Sequence, residues 1–468
     1  MRFARLVILS LTLLFLLAGC KSREPEAVKD PLEPYRENAQ NVILIAVDTL
    51  AARNLHFMGY ERETSPFMDE LCDSSVVFDR AYATKALTLP SFTSIFSGLH
   101  PVSHGVDENG IVIPDELHRL TEDFQAAGFY TAGFIGANII GTSYGMHKGF
   151  DTYADVVSHH IPASKVIEKV GQFLSGSSTT PDNPAGWKPD SQPLFMFVHF
   201  FDTHTDYNPL QKYLNQWADF DYDGPVTGQI NVFSDYNHNL IELDEDDLQR
   251  TRDLYDAEIR SFDDHMRELF SLLESSGLMD NSLVIVTADH GENLGEHHYI
   301  THGHPYEAGL HIPLMFHFPG DVGAGTHITG MVENIDVLPT AMSLVGIHAP
   351  EYLDGIDLMP AIISPQDFTT IKPVLFAFGG INSRQEKTYG LFNGRYRIVK
   401  NIRWSDEPVL WDISVDPNEE ADIADQEPEV VEAMLEVIDM MAAGDKPYEP
   451  IEYDPETREM LESLGYIN

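Results

Sequence analysis

The sequence predicts an α/β fold, with a mostly parallel central sheet flanked by helices and a smaller C-terminal α+β subdomain. Three observations predict it. Short unbroken apolar runs recur at Val42–Val47, Tyr130–Ile135, Leu194–Val198, Leu283–Val286 and Leu314–Phe318. Runs without alternation suit strands buried on both faces, as in a parallel sheet covered by helices. Helical spacing falls between them. From about residue 349 the pattern changes: Val374–Phe378, Lys387–Leu391, Tyr396–Lys400 and Val409–Asp412 read as short antiparallel strands, and Glu427–Met441 as a helix. With 468 residues and 43% apolar composition, the chain can bury a large core.

The N-terminus carries Arg2 and Arg5, then the nearly all-apolar stretch Leu6–Leu17, then Ala18-Gly19-Cys20. A basic start, a short apolar run and a small-residue exit make an export signal, too short for a membrane span. Cysteine directly after Leu-Ala-Gly resembles the lipobox of bacterial lipoproteins. That resemblance implies cleavage before Cys20, a lipid on Cys20, and a place in the cell envelope, periplasmic or at the outer membrane or outer surface. Residues 1–19 are then the signal and 20–40 a polar, proline-containing tether. Residues 41–348 form the catalytic domain and 349–468 the C-terminal subdomain. Cys72 is the other cysteine; with Cys20 acylated it has no disulfide partner, and it reads as a small buried hydrophobe.

The net charge of −45 excludes nucleic acid as a partner and argues against adhesion to anionic surfaces. An anionic substrate needs strong local positive charge, which a bound metal ion can supply. The best helix is Asp246–Ser276. Leu248, Tyr255, Ile259, Phe262, Met266, Leu269 and Leu273 keep its three-and-four spacing, with Gly277 at the C-cap. Its acidic start, Asp244 to Asp247, suits a helix N-terminus better than a calcium loop. Ser175–Gln192 is rich in Ser, Pro, Gly and Asn and reads as a surface loop.

In open α/β sheets, ligands bind outside the carboxyl ends of the strands. Here the strands end in chemistry. Val42–Val47 runs into Asp48, Leu194–Val198 into His199, Asp202 and His204, and Leu283–Val286 into Asp289 and His290. Asp and neutral His suit zinc; carboxylates also suit calcium, magnesium or manganese. In KALTLPSFTSIFSGLHP (Lys85–Pro101), Pro90 can sit in a helix's first turn and Gly98 marks its end. Thr88 is then expected just ahead of that helix, where backbone N–H groups face an anionic tetrahedral group. A threonine hydroxyl touching a metal ion loses its proton more readily and becomes a usable nucleophile.

These residues resemble the sulfatase branch of the alkaline phosphatase superfamily. NVILIAVDTL resembles its first strand with a metal-binding acid, and TLPSFTSIFSGLHP its nucleophile segment. HFFDTHTDYNP resembles its Asp-Pro-His-x-Pro-Tyr segment, and TADHGENLGEHHYITHGHPYEAGLHIPLMF its second metal segment. LWDISVDPNEEADIA is a weaker C-terminal echo. The resemblance implies an alkaline-phosphatase-like fold, a divalent metal ion (zinc, calcium or manganese) and a small or polymeric anionic ester as substrate. It implies Asp48, Asp289 and His290 as metal ligands and Thr88 as the nucleophile touching the same ion. His204 matches a histidine contacting the transferred group or leaving oxygen. His302, four residues before Tyr306, stands where sulfatases bind sulfuryl oxygens with a lysine. Asn109, 21 residues after Thr88, resembles an asparagine that holds a phosphoryl oxygen in phosphodiesterase and phosphonate-hydrolase relatives. Asn109 and His302 are thus expected as donors to charge developing in the transition state. A second ion is implied only if Asp202, His204 and one of His302 or His304 hold it; the other reading is a single ion.

The departures from the pattern direct the chemistry. A formylglycine, made from Cys or Ser, cannot form at Thr88. Phe92 stands where an arginine is expected, and Thr49 where a second acid is expected. A sulfated threonine has no aldehyde to re-form, whereas a phosphorylated threonine can be hydrolysed by in-line attack of water. The sequence therefore favours hydrolysis of phosphate or phosphonate esters over sulfate esters. The alternatives are strict sulfuric ester hydrolysis, a phosphoethanolamine-type transferase, and a catalytically degenerate binding lipoprotein.

Overall fold

A computed structural model describes residues 30–37, 39–176, 186–189, 191–219, 221–381, 387–401, 407–444 and 455. Cys20, the export signal, most of the tether and most of the expected 175–192 loop lie outside the described residues. Among the described residues, no helix is long and apolar enough to cross a membrane.

Eight strands form the central sheet: β1 (Asn41–Val47), β2 (Val76–Phe78), β3 (Tyr130–Phe134), β4 (Thr152–Ala154), β5 (Leu194–Phe200), β6 (Ser282–Ala288), β7 (Leu314–His317) and β8 (Thr326–Ile328). Their order is β8-β2-β7-β6-β1-β5-β3-β4. The run β6-β1-β5-β3-β4 is parallel throughout. β7 is antiparallel to both β6 and β2. An apolar run reports burial on two faces but not strand direction, which is why Leu314–Phe318 reads like its parallel neighbours.

Helices cover both faces. Phe92 and Phe96 of α1 (Thr88–Ser97) pack on Phe197, and Phe262 of α2 (Glu245–Ser275) packs on Phe200. Phe197 and Phe200 are three apart on β5, so they point to opposite faces. α2 starts with a reciprocal capping box between Asp244 and Asp247, which accounts for its acidic start without a cation. Gly277 follows it with φ +76°, as its C-cap position requires. Cys72 is buried and unpaired by any disulfide.

The C-terminal part is an antiparallel sheet of β9 (Leu375–Ile381), β10 (Lys387–Phe392), β11 (Tyr396–Lys400) and β12 (Val409–Asp412), in that order. Helix α3 (Pro428–Met441) packs its Met434 and Ile438 against the sheet residues Phe376, Phe378, Leu391, Ile398 and Leu410.

Candidate active site

Strand register brings the acids together. Val47 of β1 pairs with Ala288 of β6, so the next residues, Asp48 and Asp289, leave the sheet side by side. His290 follows. Ligand atoms of Asp48, Asp289 and His290 all lie within 4.8 Å of one another, and all three residues are buried. Asp289 Oδ1 accepts the N–H groups of Thr49 (3.2 Å) and His290 (2.8 Å). No hydrogen bond of normal geometry reaches Asp289 Oδ2 or either Asp48 oxygen. His290 Nδ1 lies 3.0 Å from the Gly291 carbonyl, so its Nε2 is the atom turned to the acids, 3.4 Å from Asp289 and 4.0 Å from Asp48.

Burial disfavours the charged forms of both acids and of the imidazole. Burial pushes Asp48 well above the usual range, and Glu292 adds to it. Burial and the Asp48 charge push Asp289 up to about 8. Burial pushes His290 down to about 4. An unpaired buried acid pair is costly unless something positive joins it. Two carboxylates and a neutral imidazole with orphaned oxygens fit a divalent cation by donor type and spacing.

Thr88 faces this group. It is the first residue of α1, one position further into the helix than expected, with Leu87 as N-cap. Its hydroxyl lies 3.4 Å from His290 Nε2, and it eases the charge on Asp48. The helix start is pinned from both sides. Asn109 Oδ1 accepts the Leu89 N–H at 2.9 Å, which fixes which end of that amide is acceptor and which is donor. Ser91 donates to the Asp289 carbonyl at 2.6 Å. Gly98, at φ +68°, closes the helix.

His204 and His302 stand over the same place. Their rings lie 5.0 Å apart, and His302 is 4.5 Å from the ring of His290. His204 Nδ1 contacts the Thr205 carbonyl at 2.5 Å. His302 Nδ1 contacts Glu292 Oε1 at 3.0 Å. Both imidazoles are engaged through Nδ1, so Nε2 is the atom each offers to the site. Burial holds His302 down at about 3 and His204 well below its ordinary value.

The second-ion set does not assemble. Among the described residues, the group of metal-type ligands is Asp48, Asp289 and His290. Asp202 turns away: its Oδ1 accepts the Ala163 N–H at 2.9 Å, at the start of the helix Ala163–Leu174. His304 packs its ring on Tyr299 and Tyr306. Its neighbour two positions earlier, His302, is drawn toward the acids by Glu292.

Three buried residues near the site, Glu292, Tyr207 and Lys85, are missing from the expected set, and His199, expected only as a polar residue at a strand end, touches Asp48. Glu292 binds His302 and also accepts from Tyr207 Oη at 3.1 Å. Lys85, three residues before Thr88, donates to the Gly379 carbonyl of β9 at 2.6 Å. His199 Nε2 lies 3.3 Å from Asp48 Oδ2. Glu292 had a readable signal, an acid two residues after His290 in ADHGENL. Lys85 and Tyr207 had none beyond proximity to motifs.

Comparison with known proteins gives the family and the fold. The sulfatase family profile matches residues 40–347. A second profile, N-sulphoglucosamine sulphohydrolase C-terminal, matches residues 295–443. The N-acetylglucosamine-6-O-sulfatase of Bacteroides thetaiotaomicron is 21% identical, over 95% of this chain and 91% of that one. The phosphonate monoester hydrolase of Agrobacterium radiobacter superposes with a TM-score of 0.69 at 18% identity, over 86% of this chain and 96% of that one. A protein solved with its substrate D-glucosamine-2-N,6-O-disulfate superposes with a TM-score of 0.68 at 17% identity, over 87% of this chain and 99% of that one.

Proposed function

This chain belongs to the sulfatase family, and we propose that it is a metal-dependent hydrolase of phosphate- or phosphonate-type esters with Thr88 as nucleophile. One observation carries the proposal. The Thr88 hydroxyl sits at the first turn of α1, 3.4 Å from His290 Nε2, at the mouth of the Asp48–Asp289–His290 group. The phosphonate monoester hydrolase that shares the fold is consistent with it.

Asp48, Asp289 and His290 would hold the cation, which when bound supplies the positive charge that favours the threonine alkoxide and the anionic ester. Thr88 Oγ attacks phosphorus, the Oγ–P bond forms, and the bond to the leaving oxygen breaks. The proton that Thr88 Oγ gives up is balanced by the one the leaving alkoxide takes to become the alcohol. Water then attacks the phosphothreonine, the P–Oγ bond breaks, and a proton from that water restores the Thr88 hydroxyl. The first N–H groups of α1 face the transferred group's oxygens. Asn109 and His302 contact those oxygens, and His204 contacts the leaving oxygen.

Thr88→Ala should abolish release of phenol from aryl phosphate and phosphonate esters, a loss of at least about 10³-fold, while Thr88→Ser keeps part of it. Undiminished turnover by Thr88→Ala would remove the threonine from the mechanism.

A second reading, sulfuric ester hydrolysis, is favoured by the whole-length similarity to the N-acetylglucosamine-6-O-sulfatase. Parallel assays on aryl sulfate and aryl phosphate separate the two. Anchoring in the envelope through Cys20 is part of the same proposal, resting on the Leu-Ala-Gly-Cys run. Cys20→Ser should move the protein out of the membrane fraction.

A further inference from the structure

His199 takes no part in the chemistry above, yet it is fully buried and touches the cation group. β5 places it opposite Ala46 of β1, on the same sheet face as Phe197. Phe197 stacks beside its ring at 6.3 Å. Phe92 of α1 meets that ring edge-on at 5.0 Å. The imidazole thus lies in an apolar slot between sheet and helix, and only its two nitrogens meet polar groups. On one side the Gly136 N–H donates to Nδ1 at 3.3 Å. That contact makes Nδ1 the acceptor and puts the ring's hydrogen on Nε2. On the other side Nε2 faces Asp48 Oδ2 at 3.3 Å, off the line of a normal hydrogen bond, so the contact is one of dipole to charge.

We infer that His199 is a positioning residue for the cation site: its Nε2–H steadies the Asp48 carboxylate in the orientation that receives the ion. The inference rests on the reading of Asp48 as a ligand. Outer contacts that orient a ligand carboxylate change metal affinity without touching the metal. A neutral donor suits this task better than a charged one. An arginine beside Asp48 would compete with the ion for the carboxylate's charge. A neutral N–H orients one oxygen and leaves the charge for the ion. The Gly136 N–H donated to Nδ1 leaves no room for a second ring proton, so the ring stays in that neutral form. Phe92, at the position where the resemblance expects an arginine, meets His199 in a T-shaped ring contact and brings no charge.

The test uses the full chain and Zn²⁺ in competition with a chromogenic chelator, comparing wild type, His199→Gln, His199→Phe, His199→Leu and Asp48→Asn. Glutamine can accept from Gly136 with Oε1 and donate to Asp48 with Nε2. Phenylalanine keeps the ring volume and does neither; leucine is the smaller apolar control should phenylalanine not fold. The expected result is a Zn²⁺ affinity about 10- to 100-fold weaker in the apolar variants, with His199→Gln close to wild type. Melting curves in excess chelator show that the compared variants are folded without metal. Wild-type affinity in a folded apolar variant, or equal loss in His199→Gln and the apolar variant, overturns the inference. Failure of the underlying reading looks different: wild type and Asp48→Asn then bind Zn²⁺ equally, or neither binds it.

Discussion

A carboxyl group sealed from water with no cation beside it keeps its proton, and Glu258 of α2 shows the consequence for stability. Burial pushes it up to about 8, the Asn208 N–H pulls it back in part, and Asp202 adds to the rise. The unfolded chain releases this proton near pH 4.3. Between there and pH 8 the unfolded state therefore sheds a proton that the folded state keeps, and stability falls as pH rises. Glu258→Gln removes that slope and can still accept from Asn208. Its melting temperature should fall less between pH 5 and pH 8 than the wild type's, by the equivalent of more than about 1 kcal/mol. Parallel curves for the two proteins would mean that Glu258 is ionised in the folded state. The same physics explains what could be read at this scale. Asp48, Asp289 and His290 were legible because each follows an unbroken apolar strand. His199 follows such a strand too, and Glu292 lies beside His290, but what they touch lies far along the chain or across a loop, and no local pattern records such contacts.

At the scale of elements, α1 is the one that presents Thr88, and its end is fixed by Gly98. That glycine has φ +68°, and a Cβ on it would meet the two δ-methyls of Leu353 at 3.2 Å. Its carbonyl also accepts the N–H groups of Asp354 and Gly355, each at 3.0 Å. Gly98→Ala should lower stability by about 1–2 kcal/mol, since a side chain in the left-handed region is strained. Chemical denaturation measures it, and an unchanged midpoint would show that the turn relaxes freely. Pro90 and Gly98 made this helix legible in sequence, because proline and glycine act on the backbone itself. Strand direction was not legible at β7, because direction is set by the connection and not by the side chains. The C-terminal strands were legible because each is short and bounded by polar turns.

At the scale of the whole molecule, the expected boundary at 348/349 meets a structure whose two sides share a core. Leu358, Met359, Ile362, Leu375, Ala377 and Phe392 belong to the main hydrophobic cluster. The tail also reaches the segment leading to Thr88. Phe378 N–H donates to the Thr84 carbonyl at 2.9 Å, and Lys85 Nζ donates to Gly379. Arg397 of β11, almost fully buried, pairs with Glu307 through Nη2 and with Glu419 through Nε. It also lies over the rings of Tyr82 and Phe392. Removing one partner from a buried ion group costs about 3–5 kcal/mol, because the remaining charges stay buried. Arg397→Met should therefore destabilise strongly, and adding Glu307→Gln and Glu419→Gln should restore most of the loss. A melting temperature for Arg397→Met equal to wild type would mean that this ion group adds nothing net to stability.

The tail's grip on residues 84 and 85 has a larger consequence for catalysis. A chain ending at residue 348 would expose the apolar faces that Leu375, Ala377 and Phe392 now cover. It would also release the Thr84–Lys85 backbone from β9, three residues before the nucleophile. Apolar burial is worth about 25 cal/mol per Å², and a fold's net stability is only about 5–15 kcal/mol, so the loss of one shared face is decisive. The expected outcome is aggregated or unfolded protein with no turnover of aryl phosphate. Co-expression of the separate tail should restore both solubility and turnover if the tail acts by covering that face and holding that segment. A soluble 348-residue form with wild-type turnover would show that the catalytic part sets the Thr88 helix by itself.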